Sequence, residues 1–272
     1  MASFNEISVT ALSKLIGLPD CPVLVDVRID EDFDEDPHLV PGAFRCNHLK
    51  VADLESSLRG RQVVVYCQKG LKLSQGAAAQ LRTLNIKAEV LEGGQFGWRD
   101  AGQPMVHAEK MPKTNDQGQT VWVTRHRPKI DRIACPWLIR RFIDPNAQFL
   151  FVSPSQVENV AEKFGATPFD IENVFWSHRG EMCTFDTMVD EFGIRNEALE
   201  HLATIVRAAD TDRLDLAPEA AGLRAASLGL SRMYRDDLAQ LNAGMTLYDA
   251  FYRWARDATD EGHDSAMSKS RG

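Results

Sequence analysis

Long hydrophobic runs are missing from this 272-residue chain. No apolar stretch approaches the roughly 20 residues a spanning helix needs, and the mean hydropathy is -0.28, so a membrane bundle is excluded. Positive charge is also short. The 31 Lys+Arg residues face 39 Asp+Glu, for a net charge of -8, and a protein that tracks phosphates would be basic, so nucleic acid is not an expected partner. Cysteine is scarce, with Cys21, Cys46, Cys67, Cys135 and Cys183 far apart and none in a CxxC pair. That excludes a disulfide framework and a zinc ribbon and fits a cytoplasmic protein with one or two working thiols. The opening MASFNEISVTALSKLIGL has neither a basic stretch nor a long apolar segment, so no signal peptide is expected. Repeats and low-complexity tracts are absent too. What remains is an ordinary globular composition, 44% hydrophobic and 26% charged, at a length that suggests two domains.

The boundary is expected at residues 107–120, HAEKMPKTNDQGQT, which are polar, carry Pro, Gly and Asn, and show no apolar period. Residues 1–106 then form one domain, 107–120 a linker and 121–272 a second domain. In the first, short β-branched runs at 23–27, 63–66 and 88–91 alternate with helical patterns such as 74–84. Apolar strands separated by helices imply an α/β doubly wound parallel sheet covered on both faces. In the second, strands are expected at 121–124 and 148–152, with an apolar helical pattern between them that Pro136 should kink. Helices dominate from 155 onward, ending in an amphipathic one at 246–259, so this half reads as mostly α-helical (α+β).

The sharpest local signal is Val63-Val-Val-Tyr-Cys67-Gln-Lys-Gly-Leu-Lys72-Leu-Ser74. A buried strand runs into a cysteine, a short glycine-containing loop and a helix that Ser74 is expected to cap. Ligands bind beyond the carboxyl ends of strands in open α/β sheets, and free amides at a helix start stabilise anions. A thiol there is biased towards thiolate, and Lys69 and Lys72 push the same way. Cys67 is therefore the candidate nucleophile. A buried structural cysteine is the alternative. The acidic run at 31–36, EDFDED, reads as a solvated loop rather than a metal site.

Together with Leu24-Val-Asp26-Val-Arg28, His38 with Pro41-Gly-Ala43, and Leu91-Glu-Gly-Gly94-Gln-Phe-Gly-Trp98, this loop resembles a rhodanese domain over residues 1 to about 106. The resemblance implies a rhodanese-like doubly wound sheet. It also implies transfer of a sulfane sulfur from an anionic, thiosulfate-like donor, through a Cys67 persulfide, to cyanide or a thiol, with no cofactor. The backbone of Gln68, Lys69, Gly70, Leu71 and Lys72 would cradle the transferred group, with Asp26 and Arg28 bracing the loop and Gly93, Gly94 and Trp98 shaping a turn and core. Two departures bear on donor binding: Lys72 stands where arginine is usual, and the following serine is displaced to Ser74. Related phosphatases have a loop longer by one residue that ends in arginine, where this chain has Leu73, so sulfur transfer is favoured over phosphatase or arsenate-reductase-like chemistry.

In the second half, Arg125, Arg132 and Arg140 belong to a basic stretch that also holds Arg127, Lys129 and Arg141. They are candidates for binding an oxyanion such as chromate; the alternative is a solvated helix face with snorkelling arginines. His178, Cys183 and Asp186, with Asp210 from a later helix end, are candidate transition-metal ligands. In the alternative, Cys183 is a core thiol and Thr184 caps a helix. Cys135 is expected in the core. The strings Trp122-Val-Thr-Arg125, Ile130 to Asp144, Cys183-Thr-Phe-Asp186 and Ala209-Asp210 resemble the C-terminal domain of ChrB-type chromate-resistance proteins over about 120–258. That implies a role in chromate response, as sensor or accessory. Regulators of that type begin with a DNA-binding segment where this chain has its rhodanese-like part, which argues against transcriptional control. The function expected is thus sulfur transfer in a chromate-resistance context, with a non-enzymatic chromate or redox sensor as the alternative. A flexible linker with a reach of about 20 Å would let the Cys67 loop face the arginine stretch.

Overall fold

The computed structural model describes residues 5–261; the last part of the expected second domain, 262–272, lies outside the described residues. The first half holds β1 (Glu6–Ile7), β2 (Val23–Asp26), β3 (His38–Leu39), β4 (Ala43–Arg45), β5 (Gln62–Tyr66) and β6 (Lys87–Leu91). Between them run α1 (Val9–Ser13), α2 (Asp30–Glu35), α3 (Glu55–Leu58) and α4 (Lys72–Thr83), and α5 (Gly94–Asp100) follows β6. Five strands form one parallel sheet in the order β1-β6-β5-β2-β4. Strand alternation assigns the two faces. Val63 and Val65 pack with Ala77, Ala78 and Leu81 of α4, while Val64 and Tyr66 pack with Leu12 of α1 and Trp98 of α5. Because both faces are covered, the strands read as unbroken apolar runs.

The sheet and its central strands match the expected rhodanese-like fold, with two local corrections. The acidic run is not a loop but α2, whose first turn holds Asp30, Glu31 and Asp32 near the positive end of the helix dipole. Helix α4 begins at Lys72, so Ser74 lies inside its first turn and does not cap it.

The second half builds a three-stranded parallel sheet from β8 (Val121–Arg125), β9 (Gln148–Val152) and β10 (Thr167–Pro168), in the order β10-β8-β9. A short strand β7 (Val106–His107) precedes it. Helix α7 (Val157–Phe164) covers one face, where Val121 and Val123 meet Val157. On the other face, Trp122 packs with α6 (Asp131–Leu138), α8 (Thr184–Glu191) and α9 (Glu197–Asp210). Then come α10 (Ala220–Met233) and α11 (Asp237–Asp257), which starts well before the expected amphipathic segment. Pro136 does not end α6. The helix runs through it into a π-helical turn at Ile139–Ile143, a form that absorbs a disturbed hydrogen-bond ladder.

Residues 107–120, expected as a free linker, are held at both ends. His107 pairs with His38 in the antiparallel β3–β7 ladder, and its amide donates to Phe192 O at 3.0 Å. At the far end, Thr120 donates to Asp144 Oδ2 from both its amide and its hydroxyl, each at 2.7 Å. The halves also share a core. Leu12, Val40 and Trp98 belong to the same buried cluster as Phe142, Tyr248 and Tyr252, and Gly42 N donates to Phe142 O at 2.6 Å. Gly17 lies so close that a Cβ there would stand 2.4 Å from Phe142 Cζ. This packing excludes the swinging tether.

Candidate functional site

Strand β5 is the central strand of the five, and it delivers Cys67 at its carboxyl end, where open α/β sheets bind ligands. Cys67 is only 5% exposed. Its Sγ lies 3.3 Å from Ser74 Oγ. Burial pushes the thiol up, but the hydroxyl of Ser74 and the amides of Ser74, Leu71 and Lys69 outweigh it and hold the pKa below the ordinary cysteine value. Ser74 thus serves the sulfur, a role its expected cap position had hidden. The side chains of Lys69 and Lys72 stand exposed at the mouth, and Leu71 beside them is 56% exposed.

The glycine motif after β6 shapes the loop from behind. Gly94 has a φ of 60°, and a Cβ there would lie 2.3 Å from both Cys67 O and Gly70 N. Only glycine allows that approach. The start of α5 then ties the loop down, with Gln95 N donating to Cys67 O at 2.9 Å and Phe96 N to Gln68 O at 3.0 Å. Trp98 is buried and donates from Nε1 to Pro104 O at 2.9 Å, the core role expected of it.

Asp26 and Arg28 form a fully buried pair at 2.6 Å, but they brace the loop indirectly. Arg28 donates to Asp36 O at 2.9 Å and to His38 O at 2.7 Å, fixing the chain after α2. Asp36 in turn accepts from Gln95 Nε2 at 2.7 Å, and Gln68 Nε2 donates to Glu35 Oε2 at 3.0 Å. Sequence reasoning missed Gln95 and Asp36, because neither gains meaning until α2 and α5 meet.

The arginines of the second half do not assemble into an anion site. Arg125 and Arg132 both turn to Asp170, at 3.6 and 3.1 Å. Arg140 instead stacks over Phe149, 5.0 Å from its centroid, and leans on Ala147 O at 3.4 Å. Arg141 pairs with Asp249 at 2.8 Å. The three candidate arginines, Arg125, Arg132 and Arg140, are thus each engaged by the protein itself.

The metal-ligand candidates also divide. Cys183 is a buried N-cap of α8, and Asp186 closes a capping box by accepting from Cys183 N at 3.0 Å. Asp186 also pairs with Arg207 at 2.7 Å. His178 and Asp210 do meet, at 3.4 Å. Their neighbours are not the expected pair but Asp131, at 3.5 Å from His178 Nε2, and Asp170, at 3.4 Å. Asp131 is raised by burial, and His178 is raised by the three carboxylates, Asp131 first. Asp131 lies far from His178 in sequence, and Asp170, although in the same β10–α8 connection, is marked by no local motif. Cys135 is buried, as expected, with its Sγ 3.5 Å from Asp131 Oδ1.

Two family models match the chain. Residues 8–101 match the family model of the rhodanese-like domain, and residues 122–255 match that of the ChrB C-terminal domain. Protein ChrB of Cupriavidus metallidurans is 30% identical over 184 residues, which cover 66% of this chain and 52% of that protein. The alignment thus spans about half the length of that relative. A sulfurtransferase of Allochromatium vinosum is 27% identical over 106 residues, 39% of this chain and 97% of its own length. The crystal structure of a rhodanese-like domain protein from Staphylococcus aureus is 26% identical, covering 35% of this chain and 91% of its own, with a TM-score of 0.31. No helix among the described residues is long and apolar enough to cross a membrane.

Proposed function

We propose, for a chain that joins a rhodanese-like domain to a ChrB C-terminal domain, that Cys67 carries a sulfane sulfur from an anionic donor to a thiophilic acceptor. The observation that supports this most is the placement of Cys67 Sγ at the end of the central strand, among the amides of Lys69, Leu71 and Ser74 and the Ser74 hydroxyl. The Cys67 thiolate attacks the outer sulfur of a thiosulfate-like donor. The donor S–S bond breaks, and sulfite leaves with the bonding electron pair. The persulfide formed is itself an anion, which the loop amides stabilise where the thiolate stood before. Cyanide or a thiolate then attacks the terminal sulfur and returns Cys67 as thiolate. No step needs a cofactor. The ChrB-type half sets this transfer in chromate response.

Mass spectrometry after incubation with thiosulfate tests the reading: Cys67 should be one sulfur atom heavier, and cyanide should remove it as thiocyanate. An unmodified Cys67 in protein that stays folded would overturn it. Lys72→Ala is expected to raise the donor KM about two- to fivefold, the scale of one exposed charge, with kcat nearly unchanged. Steady-state kinetics at low and high salt check this, since screening should shrink the difference.

The depressed Cys67 pKa also carries a sign. The reactive form is the thiolate, so activity persists to a lower pH than an ordinary cysteine allows and is lost as pH falls through the folded pKa. Ser74→Ala removes the hydroxyl next to the sulfur and is expected to move the acidic limb of the kcat/KM profile to higher pH. A limb that stays in place would show that the amides alone hold the thiolate.

A further inference from the structure

We infer that Asp131, Asp170 and His178, backed by Asp210, form a site for one first-row divalent cation of the Mn2+ or Fe2+ class. The residues come from three separate segments: the first turn of α6, the connection from β10 to α8, which carries both Asp170 and His178, and the end of α9. Asp131, Asp170 and His178 each bring one ligand atom, and these atoms all lie within 4.8 Å of one another. Ligands bound at about 2.1 Å lie no more than about 4.2 Å apart when opposite each other, so sub-ångström side-chain shifts close the set.

The geometry around His178 is that of ligands around a cation rather than of a hydrogen bond. Its Nε2 stands 3.5, 3.4 and 3.4 Å from oxygens of Asp131, Asp170 and Asp210. One N–H can point at only one oxygen, and all three separations exceed the usual hydrogen-bond range. An independent sign comes from Thr124, which is fully buried and whose Oγ1 has no hydrogen-bond partner among the described residues. It lies two residues beyond Trp122 on β8, so alternation puts it on the face that α6 and α8 cover. There it stands at the strand end beside β10, from which the chain runs on to Asp170. A buried hydroxyl without a partner is costly, and a metal-bound water would satisfy it.

The supports of the ligands are in place. Asp131 accepts from the amides of Thr184 at 2.7 Å and Phe185 at 3.0 Å, so the start of α8 orients its carboxylate. Thr184 Oγ1 donates to Asp170 Oδ1 at 3.0 Å, and Arg132 holds the other oxygen at 3.1 Å. Outer partners of this kind fix ligand direction and tune affinity. The His178 side chain is 39% exposed, which leaves an entry path and room for water or substrate on the ion. Two carboxylates and an imidazole with open positions suit Fe2+ or Mn2+. The imidazole disfavours Mg2+ and Ca2+, and the set contains no thiolate to select a softer ion.

The test uses the full chain after chelator treatment, titrated with Mn2+ at neutral pH and read by loss of the free-ion paramagnetic resonance signal. The expected result is one ion per chain, with Mg2+ at equal concentration failing to displace it and with a higher melting temperature in its presence. Asp131→Asn is a poor probe because it disturbs the start of α8. His178→Gln and Asp210→Asn leave that cap alone, and each should weaken Mn2+ binding at least tenfold. Absence of Mn2+ binding by the wild type would overturn the site and leave a proton on His178 as the balance for the carboxylates. Equal affinity in wild type and both variants would place any bound ion elsewhere and overturn it as well.

Discussion

Replacement of Cys67 by serine is expected to lower thiosulfate:cyanide sulfurtransferase activity by more than about a thousandfold, the scale on which loss of a covalent nucleophile acts. A serine hydroxyl stays protonated where a thiol is ionised, and oxygen does not take up a transferable sulfane sulfur. The same loop amides and Ser74 remain in the variant, so the loss reports the sulfur itself and not the cradle. Cys21→Ser and Cys46→Ser should keep activity. Cys21 is pushed up to about 12, by burial and then by Asp20, and Cys46 is raised by burial. Neither therefore offers a thiolate near neutral pH. Thiocyanate release measured side by side for the three variants decides the matter, and activity retained in Cys67→Ser would end the assignment.

The second large effect concerns the seam between the halves. Phe142 is buried in the shared core, with its ring 5.5 Å from that of Tyr252 and 5.8 Å from that of Trp137, and its backbone oxygen receives the amide of Gly42. Phe142→Ala is expected to cost about 3–5 kcal/mol, since truncation leaves a cavity that neither half can fill alone. In a chain of this size that lowers the melting temperature by on the order of 10 °C. Because the core is continuous, loss of sulfurtransferase activity and loss of tryptophan fluorescence from Trp122, Trp137 and Trp176 should follow one temperature curve and move together in the variant. Two separate transitions, with only one moved by Phe142→Ala, would mean that the halves unfold independently. Cutting the chain near Asn115 gives a parallel check: the first fragment would expose Leu12, Val40 and Trp98 on the side that now faces Phe142 and Tyr252, and it should aggregate or melt early.

What the sequence determined by itself is local. Val63, Val64 and Val65 running into Cys67, a glycine loop and a helix specify a buried parallel strand with a thiol at its end, because the residue pattern and the conformation it favours lie within a few positions of each other. The same holds for Gly93-Gly94, whose close approach to the loop follows from the absence of a side chain, and for the β-branched runs that became β2, β5 and β6. Tertiary structure decided the rest. Ser74 turns towards the sulfur only because α4 starts at Lys72, and Asp36 reaches Gln95 only because α2 and α5 converge. Asp131, Asp210 and the connection that carries Asp170 and His178 are three separate segments, so nothing in the local spacing marks the four residues as neighbours. The stretch 107–120 has the composition of a tether, yet it is held down by strand pairing at His107, by the Thr120–Asp144 bonds and by the apolar face of α1 and α5 meeting Phe142. Composition reports what a segment would do in water; it does not report which buried surface that segment meets once the chain has folded.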